Sequence, residues 1–134
     1  MRNLLVLILA ILCLATAGCK KTGDKIIGCW VNPVLGGVDE KTVLDYKKSN
    51  TLQNNFEGIE FFNDGRLIER KNMGWCGTPP IQYGNYSGNW HTQNDSIIID
   101  VAYWGGMERK IWKIINVTNT SLKVEVLYWE IISE

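Results

Sequence analysis

Histidine, net charge and helical periodicity are what this 134-residue sequence has least of. It contains one histidine, His91. Its motifs include no H-E-x-x-H, no G-x-S-x-G elbow and no P-loop, so the commonest metal, nucleophile and nucleotide sites are absent from its pattern. Lysine plus arginine and aspartate plus glutamate each number 14, giving a formal charge of zero. Without a basic block, that balance excludes a dedicated nucleic-acid binder. The four cysteines form no C-x-x-C, which argues against a structural zinc site. Beyond Gly18 no stretch of ten or more residues repeats its apolar positions every 3.6, so no amphipathic helical body is expected. The uncharged run from Asn3 to Gly18 is shorter than the ~20 apolar residues that a spanning helix needs.

What is present begins with an address. Arg2, the apolar run from Leu4 to Leu12 and the small residues Ala15-Thr16-Ala17-Gly18 have the anatomy of a secretory signal. Cys19 follows directly, and Leu14 to Cys19 resembles a bacterial lipoprotein signal. That resemblance implies cleavage after Gly18, lipidation of Cys19, and a mature chain of 116 residues, enough for one domain. Several acyl chains make such an anchor essentially permanent. Lys20 to Lys25 reads as a polar tether, and no aspartate follows Cys19, so the outer membrane of a bacterial envelope is the expected location. The expected organisation is therefore a signal over 1–18, a lipidated tether over 19–25 and a folded domain over 26–134.

Once Cys13 leaves with the signal and Cys19 carries lipid, Cys29 and Cys76 remain, 47 positions apart. An even pair in an exported chain points to a disulfide, which at this span would contribute on the order of 4 kcal/mol. Two separate buried thiols, or a metal or reactive-thiol role, are the other readings.

The mature chain reads as strands throughout. Ile26 to Asn32 is an apolar run closed by Pro33, and Val43 to Tyr46 offers only a weak strand or a turn of helix. Asn63-Asp64-Gly65 is a strong hairpin signal between Ile59–Phe62 and Arg66–Lys71. The glycines of Tyr83 to Trp90 point to bends such as barrel corners. Ile97, Ile99, Val101 and Tyr103 share one face, as do Lys110, Trp112 and Ile114, and then Leu122, Val124, Val126 and Tyr128. Period-2 alternation with turns every 8–12 residues predicts an all-β antiparallel sandwich or barrel.

Three motifs sharpen this. Gly28-Cys29-Trp30 is similar to the G-x-W of lipocalins. The Gly58 to Leu67 segment resembles the F-x-x-D-G-x-L hairpin of bacterial lipocalin-like lipoproteins. Tyr86-Ser87-Gly88-Asn89-Trp90 resembles their Y-x-G-x-W strand, with Ser96 to Ile99 as its partner. The resemblance implies a single up-and-down barrel of about eight strands, with Gly28 and Trp30 structural and Trp30 plugging a closed end. It also implies an arginine from the last strand covering that tryptophan; here the last strand departs from the pattern, offering Lys123 and no arginine.

An eight-stranded barrel is just wide enough to be filled with side chains or to hold one small ligand. Phe61, Tyr86, Trp90, Tyr103, Trp112 and Tyr128 are the candidates to line a cavity for a small apolar molecule. Filling the core is their plainer role. The loop carrying Trp75, Cys76, Pro79 and Pro80 reads as a rigid lid, or as a surface for an envelope protein partner. Arg66, Arg70, Lys71, Arg109 and Lys110 read as a solvated face, with Arg70 or Arg109 also able to meet an anionic group. His91 is expected in a turn. Glu60 and Glu69 could face each other across the hairpin as a carboxylate pair, the only arrangement with a catalytic look. No cofactor and no enzymatic activity are expected. Binding a small apolar molecule at the envelope is the leading expectation, and a filled barrel serving as an interaction module is the other.

Overall fold

The computed structural model describes residues 21–37, 39–73 and 80–132. One helical turn, α1 (Thr22–Ile26), precedes eight strands: β1 (Gly28–Gly36), β2 (Val43–Ser49), β3 (Gly58–Phe61), β4 (Arg66–Asn72), β5 (Tyr83–Gln93), β6 (Ser96–Tyr103), β7 (Gly106–Val117) and β8 (Ser121–Ile132). Neighbours pair in the order β1-β2-β8-β7-β6-β5-β4-β3, and β3 pairs back with β1. The protein is thus an all-β, closed, antiparallel up-and-down barrel of eight strands, and closure leaves no edge open to pairing. From β3 to β8 each strand pairs with the next. The β2–β3 connection skips over β1 and is tied to it where the Asn32 N–H donates to the Glu57 carbonyl at 2.9 Å.

Alternation fixes what points inward. Ile97, Ile99 and Val101 on β6 are fully buried, in one core cluster with Trp112, Leu122 and Val124 of β7 and β8. The hairpin at Asn63-Asp64-Gly65 forms as expected, with Gly65 at φ 85°. Its register pairs Phe61 with Leu67, Glu60 with Ile68 and Ile59 with Glu69. Glu60 and Glu69 are therefore on opposite faces, and the expected carboxylate pair does not form. Asn32 at φ 52° and Pro33 make a bulge in β1, a place where proline's missing N–H is tolerated.

Two bulges between β7 and β8 reset the alternation there. The first falls between Val126 and Tyr128, leaving Leu127 unpaired; Ile111 then pairs with Tyr128 and Lys110 with Trp129. One inserted residue exchanges the faces of everything beyond it. Tyr128 consequently lies on the outer wall, 43% exposed, and Trp129 takes the inward position. Tyr128 is not a cavity residue.

The barrel has two unlike ends. α1, the β3–β4 turn, the β5–β6 turn at Asn94-Asp95 and the β7–β8 turn gather at one end. The β1–β2, β4–β5 and β6–β7 connections and the end of β8 gather at the other. Within the segment read as a tether, Thr22–Ile26 is a helical turn that ends on the fully buried Ile26. The signal segment and Cys19 lie outside the described residues, as do Trp75, Cys76 and Pro79; Pro80 is exposed. Val43 opens a full strand of seven residues, and His91 lies exposed within β5, not in a turn.

Cys29 is a free, buried thiol, so the expected disulfide with Cys76 is not formed. Cys29 is 2% exposed, packed where β1 pairs with β3 and opposite Glu60. Burial first, and then the Glu60 carboxylate, push the thiol up to about 11.

Candidate functional site

The closed end is filled. Trp30 is fully buried, and its indole N–H donates to the Ile26 carbonyl at 2.6 Å. The cation over it is Lys48 of β2, with Nζ 4.1 Å from the ring centroid and donating to the Ile27 carbonyl at 2.8 Å. Lys123, which the last strand has in place of the family's arginine, meets Asp45 at 3.5 Å, with its side chain 45% exposed. The pairing of Trp30 with Lys48 is direct in the β1–β2 register, so the strand that begins the sheet closure supplies the cation. Gly28 has φ 116°, a backbone conformation that favours glycine. Phe61 stacks edge-on to Trp90 at 5.0 Å, and the Trp90 indole donates to the Phe62 carbonyl at 2.9 Å. These rings belong to the packed core.

The mouth is different. Four charged side chains enter the barrel interior there, two from β4 and two from β7. Lys110 Nζ lies 2.6 Å from Glu69 Oε1 and 3.1 Å from Glu108 Oε1. Lys71 Nζ contacts Glu108 and lies 3.2 Å from Glu69 Oε2. The result is a closed square of alternating charge with side chains 9–19% exposed. Trp129, brought inward by the bulge, donates its indole N–H to Glu108 Oε2 at 2.9 Å. Lys71 also sits 5.0 Å from the Tyr86 ring centroid.

Mutual attraction favours the charged forms of Lys110 and Glu108. Burial works against the Lys110 ammonium, but the carboxylates of Glu69 and Glu108 outweigh it and its pKa is raised. Burial likewise opposes the Glu108 carboxylate, and Lys110, Lys71 and the Trp129 N–H together pull its pKa below the usual value. One acceptor is left over: Glu69 Oε2 is buried and has no hydrogen-bond donor, since Lys71 is within ion-pair range but outside hydrogen-bond geometry.

Beside the square opens a cavity of about 220 Å³, lined by Pro33, Leu44, Tyr46, Glu57, Glu69, Lys110, Trp112, Val126 and Trp129. Tyr46 and Trp112 pack against each other at 5.7 Å between centroids. Burial raises the Tyr46 phenol well above its ordinary pKa, and the fields of Glu69 and Glu57 add to that rise. Depressions of about 400, 500 and 560 Å³ lie on the outer wall. They are lined mainly by outward-facing residues such as Asp45, Lys47 and Asn89. The mouth cavity is the one of these lined mainly by inward-facing side chains.

Of the six aromatic residues expected to line a cavity, Trp112 does so. Tyr86 is half-buried on the inner face beside Lys71. Tyr103 contacts Trp104 at 5.9 Å near the mouth. Phe61 and Trp90 are core, and Tyr128 is outside. Of the five cations expected on a solvated face, Lys71 and Lys110 are inside. Arg66 pairs with Asp64 and Arg109 with Asp100 on the outer wall. Arg70 meets Asn85 and the Asn54 carbonyl, so neither Arg70 nor Arg109 faces the interior. Tyr46, Glu69, Glu108, Lys110 and Trp129 make the site, and sequence reasoning did not assemble them. The signal was partly available: Lys110 shares the alternation of Trp112 and Ile114, which placed it indoors. No protein family, curated protein or solved structure matches this chain.

Proposed function

We propose that this chain is a cell-envelope lipoprotein of the lipocalin-like kind, anchored through Cys19 at the outer membrane. Its barrel mouth binds a small, largely apolar molecule, and it does so as a carrier or receptor without turnover. The observation that carries the reading is the contrast between a filled closed end and an open cavity of about 220 Å³ walled by Leu44, Tyr46, Trp112, Val126 and Trp129. Aromatic and aliphatic walls with a few convergent polar groups are what small-molecule sites are made of. The volume sits below the roughly 300–1,000 Å³ of drug-sized pockets, so the ligand is small. The location rests on the leader sequence, and α1 adds orientation: the chain enters the barrel at its closed end, which turns the mouth away from an N-terminal anchor.

Native mass spectrometry of the chain purified from a bacterial envelope tests this. A retained small-molecule adduct that disappears in Trp129→Ala is the expected result. A bare protein that also takes up no apolar fluorescent probe would overturn it.

A second reading has an observation of its own. Leu35 (72% exposed), Trp129 (55%), Met73 (49%), Ile131 (48%) and Ile81 (47%) leave apolar surface around the mouth, as a docking face for an envelope protein would. Partner capture that survives blocking of the cavity favours this module. Partner capture lost together with probe binding favours the carrier.

A further inference from the structure

The charge around the cavity says what kind of molecule it selects, an inference that rests on the binding role proposed above. Two carboxylates, Glu57 and Glu69, line the cavity against one ammonium, Lys110. That ammonium is already committed to Glu69 and Glu108, and Lys71 is committed to the same two acids. Glu57 makes no ion pair among the described residues, and Glu69, 8% exposed, keeps Oε2 without a hydrogen-bond donor. The unspent charge facing the cavity is therefore negative. Burial first, and then the fields of Glu69 and Glu57, hold the proton on Tyr46.

Three aromatic rings, Tyr46, Trp112 and Trp129, share this wall. Ring faces attract cations, most strongly where water is excluded. The barrel already uses that attraction elsewhere, with Lys48 over Trp30, Arg66 over Phe62 and Lys71 over Tyr86. An anionic ligand would have to take a lysine from its carboxylates and then meet Glu57. A cationic one meets the unpaired Glu57 carboxylate, the Glu69 Oε2 that lacks a hydrogen-bond donor, and an aromatic wall.

We propose that the mouth cavity selects small organic ammonium ions, with Glu57 and Glu69 holding the charged end and Tyr46, Trp112 and Trp129 enclosing the apolar body.

Isothermal titration of the purified full-length chain at neutral pH with phenethylammonium, 2-phenylethanol and 3-phenylpropanoate tests it. These probes share a ring and differ in charge. The ammonium ion is expected to bind at least about tenfold tighter than the alcohol, and the carboxylate to bind weakest. Glu57 is exposed at the rim, so Glu57→Gln keeps the fold; it is expected to weaken ammonium binding about fivefold and leave the alcohol unchanged. Equal or tighter binding of the alcohol or carboxylate, or indifference of the ammonium to Glu57→Gln, overturns the selectivity while the binding role stands. No binding of any of the three overturns both.

Discussion

The two ends of this barrel are made from the same strands and differ in what fills the inward positions. On β4 the inward series runs Leu67, Glu69, Lys71 toward the mouth. On β7, which runs the opposite way, it is Glu108, Lys110, Trp112 from the mouth downward. Both strands are apolar at the closed end and charged at the mouth, although the chain traverses them in opposite directions. At the closed end the indoles of Trp30 and Trp90 satisfy their N–H groups on backbone carbonyls. At the mouth Trp129 uses a carboxylate. A filled apolar end needs only burial to be stable. A buried ionic square adds little net stability, because desolvation offsets its attraction. The difference teaches that stability and selectivity are housed at opposite ends.

That division can be broken experimentally, beginning where the effect is largest. Trp30→Ala empties the closed end and is expected to cost about 4 kcal/mol, measured by denaturant unfolding, with affinity at the mouth unchanged in the protein that remains folded. Lys110→Met leaves Glu69 and Glu108 as buried, underpaired acids and is expected to cost about 3 kcal/mol. Pairing it with Glu69→Leu should return part of that loss, because fewer uncompensated charges then remain. If Lys110→Met proves neutral, the square is not buried as described.

The pH profile is a subtler test. Glu108 has a folded pKa below its unfolded value, so its contribution is complete above the unfolded value and is lost as pH falls through the folded one. Lys110 is shifted upward, so its contribution holds below the unfolded value and is lost as pH rises through the folded one. Cys29 adds to the alkaline loss, its raised pKa removing stability between about pH 9 and about 11. A thermal-melting profile should therefore be flat near neutrality and fall on both sides. In the folded state Cys29 should resist alkylation at neutral pH and become reactive on unfolding. Trp129→Ala, at the rim, is expected to cost under about 1 kcal/mol in stability while abolishing ligand uptake, the smallest change in stability with the largest in binding.

Much of the fold was legible because period-2 alternation and turn residues are local. Ile97, Ile99 and Val101 read as an inward face and are one; Asp64-Gly65 read as a turn and is one. What was not legible depends on register. One position of slip at the Asp64-Gly65 hairpin puts Glu69 opposite Ile59 instead of Glu60, and so indoors. One unpaired residue at Leu127 sends Tyr128 out and Trp129 in. Lysine and glutamate carry no local sign that they are buried, because their burial depends on partners 37–41 positions away. The Lys48 cover of Trp30 was hidden for the same reason: it needs the pairing of β1 with β2, across a segment whose own pattern is weak.

The division of labour between the two ends is tested most directly by methyl NMR of the full-length chain during titration with phenethylammonium. Shifts are expected at Leu44 and Val126, on the cavity wall, with Ile97 and Leu122 in the packed end unmoved. Shifts spread equally through Ile97 and Leu122, or absent everywhere, would contradict a barrel that is filled at one end and receptive at the other.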